Sequence, residues 1–149
     1  MDVTLKRVIA EAIKKEVEAQ RFYGRWARDA QHPAAREMLG FLAKEEAGHE
    51  ALLRGKGVER FLKSQPPKIQ DLRIAEFLAP QKIAPAASFQ QVLIHAMKRE
   101  DAAFWAYQAL AEAAQSGRAR ELFRRLAQEE RVHRNRLEEL YDDVIFVED

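Results

Sequence analysis

Apolar residues recur at helical spacing over four long stretches of the chain. In the first stretch they stand three or four residues apart, at Leu5, Val8, Ile9, Ala12 and Ile13. The same pattern predicts helices over about residues 3–31, 33–54, 88–115 and 118–141. Pro33 is well placed as a first helical residue, and Ser88 as an N-cap. No stretch alternates apolar and polar residues with a period of two, so no sheet is expected.

Helix-breaking residues concentrate between the second and third predicted helices. Four of the five prolines lie between residues 55 and 88, which predicts a long connection over 55–87. A short helix is predicted inside it, around Asp71–Leu78. Two short connections and one long one indicate an all-α four-helix bundle, in which a crossover joins two helical hairpins. We expect a single domain over 1–149, with the apolar segment Val144–Val147 as a docked tail; an irregular α domain is the alternative.

Composition and charge exclude several classes of protein. The 149 residues contain no cysteine, which excludes disulfides, zinc ribbons, iron–sulfur clusters and four-cysteine iron sites. The net charge is +1, so there is no overall basic field for nucleic acid or an anionic membrane. No apolar run is long enough to span a bilayer. We expect no nucleic-acid partner and no membrane partner, and a cytoplasmic location by default.

An internal repeat carries the chemistry of the chain. Shifted by 84 residues, segment 12–53 aligns with 96–137 without a gap, and 17 of the 42 positions are identical. Helices rich in alanine and glutamate match partly by composition, but a matched histidine pair and a matched tyrosine pair are not explained that way. Each repeat contains a Glu, a Tyr seven residues later, and a Glu-x-x-His thirty residues after the first Glu. The repeated residues are Glu16, Tyr23, Glu46 and His49, then Glu100, Tyr107, Glu130 and His133.

Helix geometry brings these residues together. Tyr23 follows Glu16 by about two turns, so both lie on the apolar face of the first helix. Glu16 and Glu46 are equally far from the first hairpin turn at residue 31, and the second hairpin repeats the arrangement about residue 115. Packing the hairpins face to face therefore gathers six side chains in mid-bundle, namely Glu16, Glu46, His49, Glu100, Glu130 and His133.

Four carboxylates in a core require compensation, because burying an unpaired charge costs several kcal/mol. Two divalent cations would cancel the charge of four glutamates, and each ion would receive one imidazole. Carboxylate with imidazole suits iron, with manganese as the alternative metal. A single Glu-x-x-His motif on a helix usually lies on a solvated face. Two such motifs at matched spacing predict a dinuclear metal site.

Several other residues have a structural interpretation. Tyr23 and Tyr107 either pack in the core or hydrogen-bond the metal-binding carboxylates. His32 falls in a loop and His95 points away from Glu100, so neither is expected to bind metal. The arginines of the last helix alternate with glutamates, which favours a solvated face over a nucleic-acid stripe. Three further aromatic residues, Trp26, Phe104 and Trp105, are assigned to packing or to a dimer face, which leaves a homodimer open.

These motifs resemble a known family. The run Ala12–Tyr23, with Glu45-Glu46-Ala47-Gly48-His49 and Glu129-Glu130-Arg131-Val132-His133, is similar to the rubrerythrin-type branch of the ferritin-like superfamily over residues 3–141. The resemblance implies a ferritin-like bundle with a non-haem di-iron centre. It implies that Glu46 and Glu130 bridge the metals, that Glu16 and Glu100 are terminal ligands, and that each histidine binds one iron.

The chain departs from rubrerythrins in two respects. Rubrerythrins proper carry a rubredoxin domain, which cannot form without cysteine, so electrons are expected from a separate donor. Rubrerythrins also carry a glutamate one turn after the third-helix ligand, where this chain has Ala103. The iron movement that depends on that glutamate is therefore not expected here.

The function expected from the sequence is reduction of peroxide or dioxygen by a di-iron centre with electrons from a separate donor. Two alternatives stay open. In one, the protein is a ferroxidase or iron-handling protein whose substrate is Fe(II). In the other, it is a non-catalytic bundle that the metal only stabilises.

Overall fold

Helices make up most of the structure, a computed structural model that describes residues 3–64, 68–114 and 117–146. The four long helices are α1 (Leu5–Asp29), α2 (Pro33–Leu53), α5 (Phe89–Ala113) and α6 (Gly117–Tyr141). Between α2 and α5 lie α3 (Lys56–Ser64) and α4 (Leu72–Leu78). Helix α1 packs along α2, and α5 packs along α6. This arrangement confirms the all-α, ferritin-like bundle of two hairpins.

Local signals in the sequence explain where the long helices begin. The Thr4 hydroxyl accepts the Arg7 N–H at 3.1 Å and caps α1. At the start of α5, the Ser88 hydroxyl accepts the Gln91 N–H at 3.2 Å, and the Gln91 side chain accepts the Ser88 N–H at 2.9 Å. This reciprocal capping box fixes the first turn of the helix that carries Glu100.

The crossover contains more regular structure than the sequence predicts. Helix α4 lies where a short helix is expected, but α3 was not predicted, because Gly55 and Gly57 suggest a loop. Helix α3 forms since Val58 and Phe61, three residues apart, are both buried. The ring of Phe61 packs edge-on against Phe123 of α6 at 5.1 Å between ring centroids.

The prediction that the chain has no sheet is wrong at one place. Strand β1 (Val3–Thr4) pairs antiparallel with β2 (Lys68–Ile69), so that Val3 stands opposite Ile69. Each strand is two residues long, too short for an alternating pattern to appear in the sequence. The pair holds the crossover against the start of α1.

The C-terminal segment continues from α6 as a π-helical turn, Asp142–Phe146. Val144 is buried in the bundle, where a docked tail is predicted. Val147, the end of that predicted tail, and Ser116, at the predicted break before the last helix, lie outside the described residues.

Two apolar clusters fill the bundle, one toward each end. The first contains the beginning of α1, the end of α5 and residues of α3 and α4, with Phe61 and Phe123 among its large side chains. The second surrounds the turn between α1 and α2 and includes Leu39 and Leu137. On α1, Glu16 falls between the two clusters. A buried polar layer therefore crosses the middle of the bundle, with apolar packing on both sides.

The capping box at Ser88 yields a stability prediction. We expect Ser88→Ala to lower the free energy of unfolding by about 1 kcal/mol, because the first turn of α5 loses its side-chain acceptor. Chemical denaturation of the purified protein measures the change. Ser64→Ala is the control, since among the described residues the Ser64 hydroxyl bonds to carbonyls of its own helix, and a change within about 0.5 kcal/mol is expected there. Equal effects of the two substitutions would contradict the capping role.

Candidate metal centre

Six polar side chains form the buried layer in mid-bundle, and each is at most 3% exposed. They are the six predicted from the repeat, namely Glu16, Glu46, His49, Glu100, Glu130 and His133. Each of the four long helices contributes at least one of them. We call this set the carboxylate–histidine cluster. His32 and His95 lie outside it, and the His95 ring instead contacts Phe22 at 5.4 Å between centroids.

The cluster divides into two overlapping groups of candidate ligand atoms. Glu16, Glu46, His49 and Glu130 bring one atom each within 4.8 Å of one another. Glu46, Glu100, Glu130 and His133 do the same. Glu46 and Glu130 belong to both groups, while the other four residues belong to one each. The overlap is the arrangement expected of two bridging carboxylates between two metal ions.

Distances within the cluster show how the shared glutamates join the two histidines. His49 Nδ1 lies 3.0 Å from Glu130 Oε1, and His133 Nδ1 lies 3.3 Å from the same oxygen. Glu46 approaches His133 Nδ1 at 2.8 Å through Oε1 and His49 Nδ1 at 3.8 Å through Oε2. The two imidazole rings are stacked, with their centroids 5.5 Å apart. Both Nδ1 atoms therefore face the carboxylates of Glu46 and Glu130, and they share the Glu130 Oε1 atom.

The two tyrosines connect the hairpins across the cluster. The Tyr23 hydroxyl of α1 donates to Glu100 Oε1 of α5 at 2.6 Å. The Tyr107 hydroxyl of α5 donates to Glu16 Oε1 of α1 at 2.7 Å. Each tyrosine thus orients an acid of the opposite hairpin. Of the two interpretations of these residues, core packing or hydrogen bonding to the carboxylates, the hydrogen bonds correspond to the second.

Two further glutamates lie behind the histidines, and the sequence analysis missed both. His49 Nε2 is 3.8 Å from Glu129 Oε1, and His133 Nε2 is 3.7 Å from Glu45 Oε1. A carboxylate facing the far nitrogen of an imidazole favours a proton on that nitrogen and leaves the near one free for a metal. The repeat pairs Glu45 with Glu129, but each acts on the opposite hairpin, which helical spacing alone does not show.

The chemistry of the layer fits a metal site. Within the described part of the chain, eight buried side-chain atoms of the cluster lack a well-aligned hydrogen bond: four carboxylate oxygens and both nitrogens of each histidine, although both Nδ1 atoms lie within 3.0 Å of a carboxylate oxygen. Leaving a buried polar atom without a partner costs about 1–3 kcal/mol. Two cations coordinated by the carboxylate oxygens and the Nδ1 atoms would satisfy six of the eight and neutralise the four acids.

Without a cation, the acids perturb one another strongly. Burial, followed by the charges of Glu130 and Glu100, raises the pKa of Glu46 well above its usual range. Burial and then the charges of Glu100 and Glu16 raise the pKa of Glu130 in the same way. Burial alone would lower the pKa of His133, but the carboxylates of Glu100 and Glu46 outweigh it and raise that pKa to about 10. The metal-free cluster therefore retains protons at neutral pH.

A cleft opens from the surface onto the cluster between α1 and α5. It encloses about 300 Å³ and reaches Glu16, Glu46, Glu100 and Glu130. The small side chains of Ala19 and Ala103 form part of its wall, and residues of the crossover cover it. The short side chain of Ala103, one turn after Glu100, thus leaves this side of the acids open.

Comparison with known proteins identifies the family. A family model described as Rubrerythrin matches residues 1–56 and 91–149. The chain belongs to the rubrerythrin family. The matched ranges contain the whole carboxylate–histidine cluster and both tyrosines, and they leave out residues 57–90 of the crossover. No curated protein and no solved structure matches the chain. Within the described ranges, no helix of this rubrerythrin-family chain is long and apolar enough to cross a membrane.

The overlap of the two groups predicts which glutamate-to-glutamine substitutions affect one metal ion and which affect both. We expect Glu16→Gln and Glu100→Gln each to weaken the binding of one metal ion, because each acid belongs to one group. Glu46→Gln and Glu130→Gln should each weaken the binding of both metal ions. Elemental analysis of protein saturated with Mn(II) measures the bound metal, and we expect two ions per chain in the wild type. Glu121→Gln, on the exposed face of α6, is the control and should bind like the wild type. Equal losses from all four substitutions would contradict the bridging arrangement.

The raised pKa values predict that metal and protons compete. We expect Mn(II) loading at neutral pH to release protons, because His133, whose pKa is raised to about 10, must give up a proton to bind a cation. For each proton displaced, the affinity should fall about tenfold per pH unit as the pH is lowered. Calorimetric titration in buffers of different ionisation enthalpy counts the protons. A binding enthalpy that does not depend on the buffer would exclude the release.

Proposed function

We propose that the carboxylate–histidine cluster binds two iron ions and that the protein is a non-haem di-iron oxidoreductase that reduces peroxide or dioxygen. The observation that carries the proposal is the pair of overlapping groups joined by Glu46 and Glu130. Membership of the rubrerythrin family supports iron over manganese. When bound, two ferrous ions supply two electrons to an oxidant, one from each ion.

The side chains of the protein prepare the site for this chemistry. Tyr23 and Tyr107 hold Glu100 and Glu16 in place, and a buried hydroxyl that already donates to a carboxylate fixes its orientation. Glu45 and Glu129 place a negative charge beside the outer nitrogen of each imidazole, at 3.7 and 3.8 Å. The apolar clusters keep water away from the layer on the two sides that face the ends of the bundle, which strengthens the electrostatic interactions within it.

The cleft between α1 and α5 supports access for a small oxidant. It reaches all four glutamates of the cluster, so an oxidant that enters meets the acids without passing through the apolar clusters. The 149 residues contain no cysteine and therefore no iron–sulfur or rubredoxin-type site that could supply electrons. A separate electron donor is therefore part of the proposal. A homodimer and a cytoplasmic location stay predictions.

Rapid mixing of the anaerobic Fe(II) protein with peroxide, dioxygen or excess Fe(II) tests the function. We expect oxidation of the bound iron by peroxide or dioxygen on the stopped-flow time scale, followed by re-reduction with an added electron donor. Repeated consumption of excess Fe(II) with dioxygen, without any donor, would support the ferroxidase instead. No oxidation in any mixture, together with a melting temperature raised by metal, would identify a bundle that the metal only stabilises.

A further inference from the structure

The cleft that leads to the acids has a basic rim. Four basic residues line it, namely Lys14, Lys15, Lys82 and Arg99, against two acidic residues outside the cluster, Glu11 and Glu18. Within the described ranges, none of the four basic residues forms an ion pair with an acid. Once cations neutralise the cluster, the cleft therefore carries an excess of positive charge.

Lys15 and Arg99 stand at the centre of this rim. The two positions correspond in the repeat, each directly before a cluster glutamate, so the fold brings them together at the contact of α1 with α5. The Arg99 guanidinium donates to the Lys15 carbonyl at 3.2 Å and lies 5.5 Å from the Phe22 ring. Both contacts fix the guanidinium and leave most of its five N–H donors unused.

Lys15 is held between apolar and charged neighbours. Its ammonium lies 5.3 Å from the centroid of the Phe77 ring. Burial lowers the pKa of Lys15, the charge of Glu18 opposes that shift, and the charge of Arg99 adds to it. Two adjacent cations, one of them partly desolvated, attract an anion more strongly than cations fully exposed to water.

The rest of the wall is largely apolar. Phe77, Leu78 and Pro80 of the crossover lie on one side, and Ala102 and Ala103 of α5 on the other. The cleft volume of about 300 Å³ is about ten times the share of one water molecule and reaches the lower end of the range for small-molecule pockets. This volume includes the space beside the cluster acids in which cations would lie, but a cleft for hydrogen peroxide alone would not need an apolar wall.

The crossover wall also lies in the part of the chain outside the family match, which leaves out residues 57–90. Phe77 and Lys82 are therefore features of this chain that the family model does not cover. The match includes the metal cluster at the bottom of the cleft, but not this side of it.

We propose that the cleft binds a small organic carboxylate, whose anionic group pairs with Lys15 and Arg99 while its apolar body lies against Phe77 and the alanines. Arginine pairs with carboxylates through two parallel N–H donors, which suits an anionic group at the rim. The ligand then occupies the path between solvent and the cluster. This proposal concerns the cleft alone and is independent of the redox activity proposed above.

Calorimetric titration with benzoate tests the proposal on the full chain, both loaded with Mn(II) and metal-free. We expect saturable binding of one benzoate per chain, tighter in the loaded protein because the cluster acids are then neutralised. Benzamide, the neutral isostere, and inorganic phosphate, an anion without an apolar body, should each bind at least about tenfold more weakly. Equal affinity for benzamide would overturn the role of charge, and equal affinity for phosphate would overturn the organic ligand.

Substitutions locate the binding site. We expect Arg99→Gln and Lys15→Gln each to lower the affinity for benzoate about tenfold or more. Ala103→Leu should lower the same affinity by filling the cleft. Lys98→Gln, beside Arg99 in sequence but exposed and outside the cleft, should bind like the wild type. Circular dichroism checks that each variant is folded, and the lysine and alanine variants keep the test valid if Arg99→Gln does not fold.

Two results would overturn the proposal outright. One is the absence of saturable benzoate binding to the loaded wild-type protein. The other is binding that survives all three cleft substitutions and disappears when the metal is removed, since the benzoate would then be held by the metal rather than by the rim. Neither result bears on stopped-flow oxidation of the iron, so failure of this proposal and failure of the proposed function are distinguishable.

Discussion

Mutual repulsion among four glutamates in one dry layer is the constraint on which the rest of the structure depends. Each of these carboxylates is taken out of water, and each raises the free energy of its neighbours in a medium that screens charge poorly. The chain offsets this in three ways: tyrosine hydroxyls donate to two of the acids, two histidines share the layer, and a set of ligand atoms is left open for cations. The apolar clusters then fix the height at which the layer lies.

The surroundings of the layer are not equivalent on its different sides. Toward the two ends of the bundle, packed leucines and aromatic rings separate the acids from solvent. Between α1 and α5, alanines replace such bulk and a cleft reaches the acids. These short side chains thus allow access to the acids. Rigidity and access come from different residues, so the opening does not require the cluster itself to loosen.

Most of the cluster could be predicted from the sequence because its information is local and repeated. Helical spacing places Glu16 with Tyr23 and Glu46 with His49, and the 84-residue repeat shows that the pairing occurs twice. What escaped prediction depends on contacts between elements. Helix α3 forms because Phe61 packs on Phe123, and the β1–β2 pair forms only once the crossover meets the start of α1. Glu45 and Glu129 escaped prediction because each acts across the hairpin boundary.

The exchange of contacts between hairpins has a consequence for how such a chain can arise. Each group of candidate ligands takes three side chains from one hairpin and one from the other, and each tyrosine serves the opposite hairpin. One hairpin alone is therefore an incomplete site with an unpartnered hydroxyl. Two identical hairpins would complete each other as a symmetric pair, as an unduplicated ancestor of this chain would have required. In this chain the crossover joins the two hairpins, and its residues Phe77, Leu78, Pro80 and Lys82 line the cleft on one side of the layer alone.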